Sequence, residues 1–271
     1  MVRRKTEPPR GVLRTGVARD GPYRHERYHP APDLEPWVEH HWSVEWDLRG
    51  SAPQRVETLP HPSVHLIFEA GGQSRVAGPS HARFSRLLEG KGAVFAVKFK
   101  PAGFHSFVKV PISRFADRTI PFPEVFGAAG EQLDRAVLAA AQDSERVTVV
   151  EDFLRGRRPE HDDDADRVSE MVHRVSRDVE ICKVEQLAAR DGLNRRTLQR
   201  LFAKYVGVSP KWVIQRYRLH EAAERLAAGQ SIDQAGLALD LGYSDQAHFV
   251  RDFKSIVGVS PAAYARAARR Q

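Results

Sequence analysis

The chain has 271 residues, enough for one large domain or two ordinary ones, each able to bury a core. A hydrophobic share of 41% and a charged share of 28% exclude disorder and fibre, and a single cysteine, Cys182, excludes an internal disulfide, a four-thiolate zinc site or an iron–sulfur cluster by count. The formal charge of +7 is uneven: from Asp166 onward 18 lysines and arginines stand against 12 acidic residues, while the remainder, with 24 against 23, is nearly neutral. A basic half beside a neutral one points to a polyanionic partner for one half only.

In chain order, residues 1–10 are charged and Pro-containing with no apolar run, and no stretch approaches the ~18 apolar residues of a membrane span, so a cytoplasmic protein without membrane contact is expected. Residues 11 to about 120 hold short apolar runs broken by Pro and Gly. Val64–Phe68 and Val94–Phe99 are strand-length, β-branched and aromatic, and His41–Asp47 alternates more loosely around Trp42, Val44 and Trp46. This predicts a β-rich barrel or sandwich, with Trp37, Trp42 and Trp46 in its core. The period then changes: Leu133, Val137 and Leu138, followed by Val147, Val150, Phe153 and Leu154, sit at helical spacing over 131–155. Those helices could dimerise or pack on the β domain; the sequence leaves both open. Residues 157–165, polar and holding Pro159 and three consecutive aspartates, are the predicted linker between an N-terminal domain over 11–156 and a C-terminal one over 166–271. The expected fold class is α+β, a β-rich domain with appended helices followed by an all-α domain.

Beyond Asp166 the spacing is helical throughout. Val168, Met171, Val172 and Val175 form one stripe, and Val184, Leu187 and Ala188 open a helix that Gly192 closes. Asn194 is the expected cap of the next helix, whose buried stripe is Leu198, Leu201, Phe202 and Tyr205 and which Gly207 ends. This half then repeats. Leu187, Ala188 and Gly192 recur fifty residues later as Leu237, Ala238 and Gly242. Leu198, Arg200, Phe202 and Gly207–Pro210 recur fifty-one later as Phe249, Arg251, Phe253 and Gly258–Pro261. The extra residue falls at Ser244–Asp245, in a turn. The second copy's first helix departs slightly, with Ile232 two positions before the expected apolar site and Gln234 at it.

Each copy has the logic of a helix-turn-helix: a small residue for close helix crossing, a glycine for the turn, and an i, i+4 apolar pair anchoring the second helix. The opposite face then presents Arg195, Arg196, Gln199 and Arg200 in the first copy, and Gln246, Ala247, Val250 and Arg251 in the second. Arg and Gln can pair bidentately with guanine and adenine, at about 1–3 kcal/mol of discrimination each. Lys204, Lys211 and Lys254 are the expected phosphate contacts, and Val250 a contact to a thymine methyl. The stretch from Gly192 to His220, with Arg216 and Arg218 among its seven basic residues, holds no acid; by charge alone it reads as a solvated face. Pro210–Ala228 reads as one connecting helix with Gly229 past its end. At ~1.5 Å per residue it spans about 28 Å, compatible with recognition helices in successive major grooves about 34 Å apart.

The segments LQRLFAKYVGVSP and LGYSDQAHFVRDFK with a second GVSP resemble the DNA-binding domain of the AraC/XylS family over roughly residues 166–268. The resemblance implies a transcription regulator of double-stranded DNA whose second helix in each unit enters the major groove, through Arg196, Gln199 and Arg200, and through Gln246, Val250 and Arg251. It implies an N-terminal effector or dimerisation domain, and VKFKPAGF at 97–104 resembles a stretch found in relatives whose first domain has no assigned function. A small-molecule effector, a homodimer and RNA polymerase are the further partners it raises. No cofactor is expected. Eight of the twelve histidines, His25, His29, His40, His41, His61, His65, His81 and His105, lie in the first domain and are read as ordinary surface or core residues rather than metal ligands. A DNA-repair enzyme with a fused module of this type would need a reactive cysteine outside that module; Cys182 lies inside it and is expected as a small buried hydrophobe, so no enzyme is expected. The other alternative is an unregulated architectural DNA-binding protein.

Overall fold

A computed structural model describes residues 2–6, 12–13, 23–157, 159–228 and 233–268. Gly229, expected to end the connecting helix, and Ile232 lie outside them, as does residue 11, the expected start of the first domain.

The continuous apolar run around Val94–Phe99 explains the centre of the first domain. The strands are β1 Val12–Leu13, β2 Tyr23–Tyr28, β3 Val38–Asp47, β4 Gln54–Thr58, β5 His65–Glu69, β6 Arg75–Ala77, β7 Phe84–Leu88 and β8 Lys91–Phe99, with β9 Thr119–Pro121 following the short helix α1 His105–Val108. They form an antiparallel six-stranded sheet, β2-β3-β8-β5-β6-β9, and a three-stranded sheet, β1-β4-β7. Strand β8 is interior and buried on both faces, so it reads as an apolar run rather than an alternation. Phe95, Val97 and Phe99 join one core, while Val94 joins Trp46, Leu48 and Leu88 in a smaller cluster shared with the second sheet.

The larger core is closed by helices α2 Phe122–Phe126, α3 Ala128–Ala139 and α4 Asp143–Arg155. Leu133, Val137, Val147, Val150 and Leu154 are buried against the sheet, so these apolar faces pack on the β domain, the second of the two expectations for this segment. Leu138, expected in the same stripe, is exposed. Polar contacts fix α4 to the sheet. The Glu151 carboxylate meets His41 Nε2 at 3.2 Å and accepts the Ala31 N–H at 2.8 Å, and Asp143 accepts from the hydroxyls of Tyr28 and Ser43. Trp46 is buried as expected, whereas Trp37 and Trp42 are partly buried at the edges of the two cores.

The rest is helical: α5 Asp163–Arg177, α6 Val184–Arg190, α7 Arg195–Tyr205, α8 Pro210–Ala227, α9 Gln234–Asp240, α10 Gln246–Val257 and α11 Pro261–Ala268. Helix α5 starts inside the polar stretch expected to be linker, because the Asp162 side chain accepts the Ala165 N–H and caps it. Two cores lie here, one built on α5, α6 and α7, the other on α9 and α10, with α8 contributing to both. Among the described residues no helix is long and apolar enough to cross a membrane.

Candidate nucleic-acid interface

The two repeated units share their backbone chemistry. In the first, the Leu193 N–H donates to the Ala188 carbonyl at 2.9 Å; fifty residues on, the Tyr243 N–H donates to the Ala238 carbonyl at 3.0 Å. Both turns pass through a glycine at positive φ, +62° at Gly192 and +80° at Gly242, a conformation that a side chain disfavours. Asn194 caps α7 by accepting the Thr197 N–H at 2.8 Å, and Asp245 caps α10 by accepting the His248 N–H at 2.7 Å. Where Gln234 replaces the apolar residue that starts the first copy's helix, Asp233 supplies compensation, accepting from both Ala235 and Gly236 N–H groups.

The buried stripes are those the spacing predicts, Leu198, Leu201, Phe202 and Tyr205 on α7, and Phe249 and Phe253 on α10, where Val257 is buried as well. Opposite them Arg195, Arg196, Gln199 and Arg200 are exposed, as are Gln246, Ala247 and Arg251. Neither helix has an acidic residue in its first turn. Arg195 faces Glu185 at 3.5 Å, with both side chains mostly in solvent. Val250 is only half exposed and packs against the second core. Lys211 and Lys254 are exposed. Lys204 is turned back on its own helix end. Its Nζ donates to the Tyr205 hydroxyl at 2.7 Å and lies 4.4 Å from the ring centroid, and that hydroxyl donates to Asp162 at 3.0 Å. This hydrogen bond raises the Lys204 pKa.

Helix α8 departs most from the expectation of a solvated basic face. Ser209 caps it, and at 18 residues it spans about 27 Å. Arg216 and Arg218, two positions apart and hence on opposite sides, are only 1% and 2% exposed. Arg216 Nε donates to the Pro60 carbonyl and Arg218 Nη2 to the Val175 carbonyl, and burial lowers both pKa values. Cys182 is half-buried rather than buried, its Cβ set against Gly242, so the loop before α6 in the first unit touches the turn of the second.

The close grip of the first domain on this one is not legible in the sequence. Gly207 and Gly258, equivalent in the repeat and each just past a recognition helix, both lie against it. A Cβ at Gly207 would stand 2.8 Å from the Ile112 carbonyl oxygen, and one at Gly258 would run into the Arg83 guanidinium, whose Nη1 donates to the Val257 carbonyl at 2.9 Å. Three first-domain histidines face C-terminal aromatic rings: His105 on Tyr205 at 4.5 Å, His61 on His220 at 5.1 Å and His81 on Trp212 at 5.2 Å between centroids. Leu59 is buried in the second unit's core and Ala102 in the first's. Such contacts join residues far apart along the chain, 95 positions for Ile112 and Gly207 and 174 for Arg83 and Val257, and no local pattern encodes them.

A tandem pair of helix-turn-helix units with bare polar recognition faces defines the class. Comparison with known proteins agrees with it. The family described as a helix-turn-helix domain matches residues 187–267, and a domain of unknown function (DUF6597) matches 26–121. An uncharacterized HTH-type transcriptional regulator of Haemophilus influenzae is 36% identical over 81 residues, covering 30% of this chain and 27% of that protein. The putative HTH-type transcriptional regulator YkgA of Escherichia coli is 36% identical over 83 residues, 30% of this chain and 34% of that one. This chain therefore spans about a third or less of the length of these relatives. A solved structure of a probable AraC family transcriptional regulator from Rhodopseudomonas palustris is 28% identical, with a TM-score of 0.32 over 36% of this chain and 97% of that one. The chain carries an AraC-type helix-turn-helix domain behind a domain of unknown function.

Proposed function

We propose that the protein is a sequence-specific transcription regulator that reads two adjacent major-groove segments of double-stranded DNA with α7 and α10. One observation carries this reading: two units with the same turn bond, the same capped recognition helix and the same exposed polar face, held on one rigid connector. In it Arg195, Arg196, Gln199 and Arg200 read bases from the first unit, and Gln246 and Arg251 from the second. Lys211 and Lys254 meet phosphates. Lys204, engaged with Tyr205, and Val250, packed sideways on the core, play smaller parts than their positions in the sequence suggested.

The division into a first domain over 11–156, a joining stretch over 157–165 and a DNA-binding domain over 166–271 belongs to the same proposal. So does control: the first domain touches the ends of both recognition helices, at Gly207 and Gly258, and a change in it would be felt by both reading heads. A small-molecule effector, self-association and RNA polymerase are the partners this adds to DNA, in a cytoplasmic protein that is not an enzyme. Selection from a random DNA pool with the full chain tests the reading. Enrichment of two short blocks about one helical turn apart supports it, and a pool left unenriched across a range of salt refutes it.

A further inference from the structure

The two helix-turn-helix units leave a cleft of about 290 Å³ between them, walled by the start of α6, by α8 and by the α9–α10 turn. Lys183, Arg195, Lys211 and Arg218 line it, and Glu185 is the one carboxylate among its lining residues. Arg195 opens α7 and His248, also in the lining, stands in the first turn of α10, so the cleft lies between the two reading ends. Arg218 is almost wholly buried, and beyond its bond to the Val175 carbonyl its Nε and Nη1 have no hydrogen-bond partner among the described residues. A buried guanidinium with unmade donors is costly, and an anionic oxygen acceptor relieves that cost most effectively. Glu185 does not supply it, being engaged with Arg195 at the exposed rim.

We propose that this cleft binds a phosphate group, with Arg218 donating from the wall and Lys183 and Lys211 neutralising charge at the rim. The inference rests on the DNA-binding reading for its favoured source. Successive major grooves on one face of a duplex are separated by a minor groove flanked by phosphates, so a cationic cleft between two recognition helices faces the backbone. A free phosphate compound has the same chemistry and is the alternative source.

Two measurements on the full chain test it, each with wild type, the exposed-site double variant Lys183→Gln/Lys211→Gln, and Arg218→Lys. In the first, thermal midpoints are compared in inorganic phosphate and in chloride at equal ionic strength. In the second, the selected DNA site carries single methylphosphonate replacements through the segment between its two blocks. We expect one replacement to weaken wild-type binding roughly tenfold, as loss of a charge-assisted contact does, and to have little effect on the double variant, whose salt slope is shallower by about one or two. Phosphate protection that the variants lose, without any sensitive backbone position, supports a free phosphate compound as the ligand. Equal sensitivity of all three proteins at every backbone position, together with no phosphate-specific rise in midpoint, overturns the proposal. If no DNA is selected at all, the DNA-binding reading fails, while the midpoint comparison still decides whether the cleft takes phosphate.

Discussion

Replacing Gly192 and Gly242 by alanine, one at a time, probes how firmly the two units are joined. The residues are equivalent in the repeat and both have positive φ, so each substitution carries the left-handed strain of a non-glycine residue, roughly 1–2 kcal/mol. Their surroundings differ. A Cβ at Gly192 meets nothing within 4 Å, whereas one at Gly242 runs into Cys182 Cβ, with the sulfur at 3.0 Å. The crowding adds about 1–3 kcal/mol, as overpacking of a close contact does. Gly192→Ala should therefore cost about 1–2 kcal/mol and Gly242→Ala about 2–5 kcal/mol, read from urea unfolding at constant slope. Cys182→Gly in the Gly242→Ala background should return the crowding part and leave the strain, a coupling that a double-mutant cycle isolates. Equal losses at the two glycines, or a cycle that closes with no coupling, would refute the packing of the first unit's loop on the second unit's turn.

Other outcomes follow from the same geometry. Arg200→Ala should leave the unfolding free energy within about 0.5 kcal/mol of wild type while weakening specific DNA binding by about 1–3 kcal/mol; Phe202→Ala should instead lose about 3–5 kcal/mol of stability. Denaturation and a DNA titration on the same preparations separate the two, and loss of folding in Arg200→Ala contradicts the exposed assignment of that side chain. Arg83→Ala removes a hydrogen bond to the end of α10 and a contact with Gly258, so DNA affinity should change although residue 83 is outside the DNA-binding domain; unchanged binding argues against control through this contact. Burial holds the buried His40 down at about 4, with Lys98 and Arg27 nearby opposing its charge and Glu39 favouring it. Because the unfolded chain takes up this proton near 6.5 and the folded one only near 4, stability from this group is full above about pH 6.5 and declines as pH falls toward 4. His40→Gln should flatten that part of a urea-midpoint profile against pH, and an unchanged profile contradicts the assignment.

Much of the DNA-binding half is legible in the sequence because its information is local and repeated. Gly192 and Gly242 mark turns, Asn194 caps its helix, and Leu198 with Phe202 fixes one face and so the other. The strands around Val64–Phe68 and Val94–Phe99 are readable for the same reason, since β-branched and aromatic runs need no distant partner to be recognised. What escapes is whatever depends on a surface brought from far along the chain. Arg216 and Arg218 count toward a basic stretch, yet α8 is wrapped on one side by the first domain at Pro60 and on the other by the end of α5, so both are buried. Lys204 points along the recognition helix, but Tyr205 and Asp162 draw it aside. The histidines of the first domain show no metal spacing, and nothing in their neighbours along the chain marks His61, His81 and His105 as the ones that meet the second domain.

Spacing of the DNA site tests the central claim most directly. With the selected two-block site in hand, five base pairs are inserted between the blocks and the affinity of the full chain is compared with that for the parent site and for each block alone at one salt concentration. Because α8 and the Cys182–Gly242 contact hold the units in fixed relation, and five base pairs turn the second block to the opposite face of the duplex, affinity should fall to that of a single block. Undiminished binding to the inserted site would contradict the account, since a rigid pair of reading heads cannot follow a block carried half a turn away.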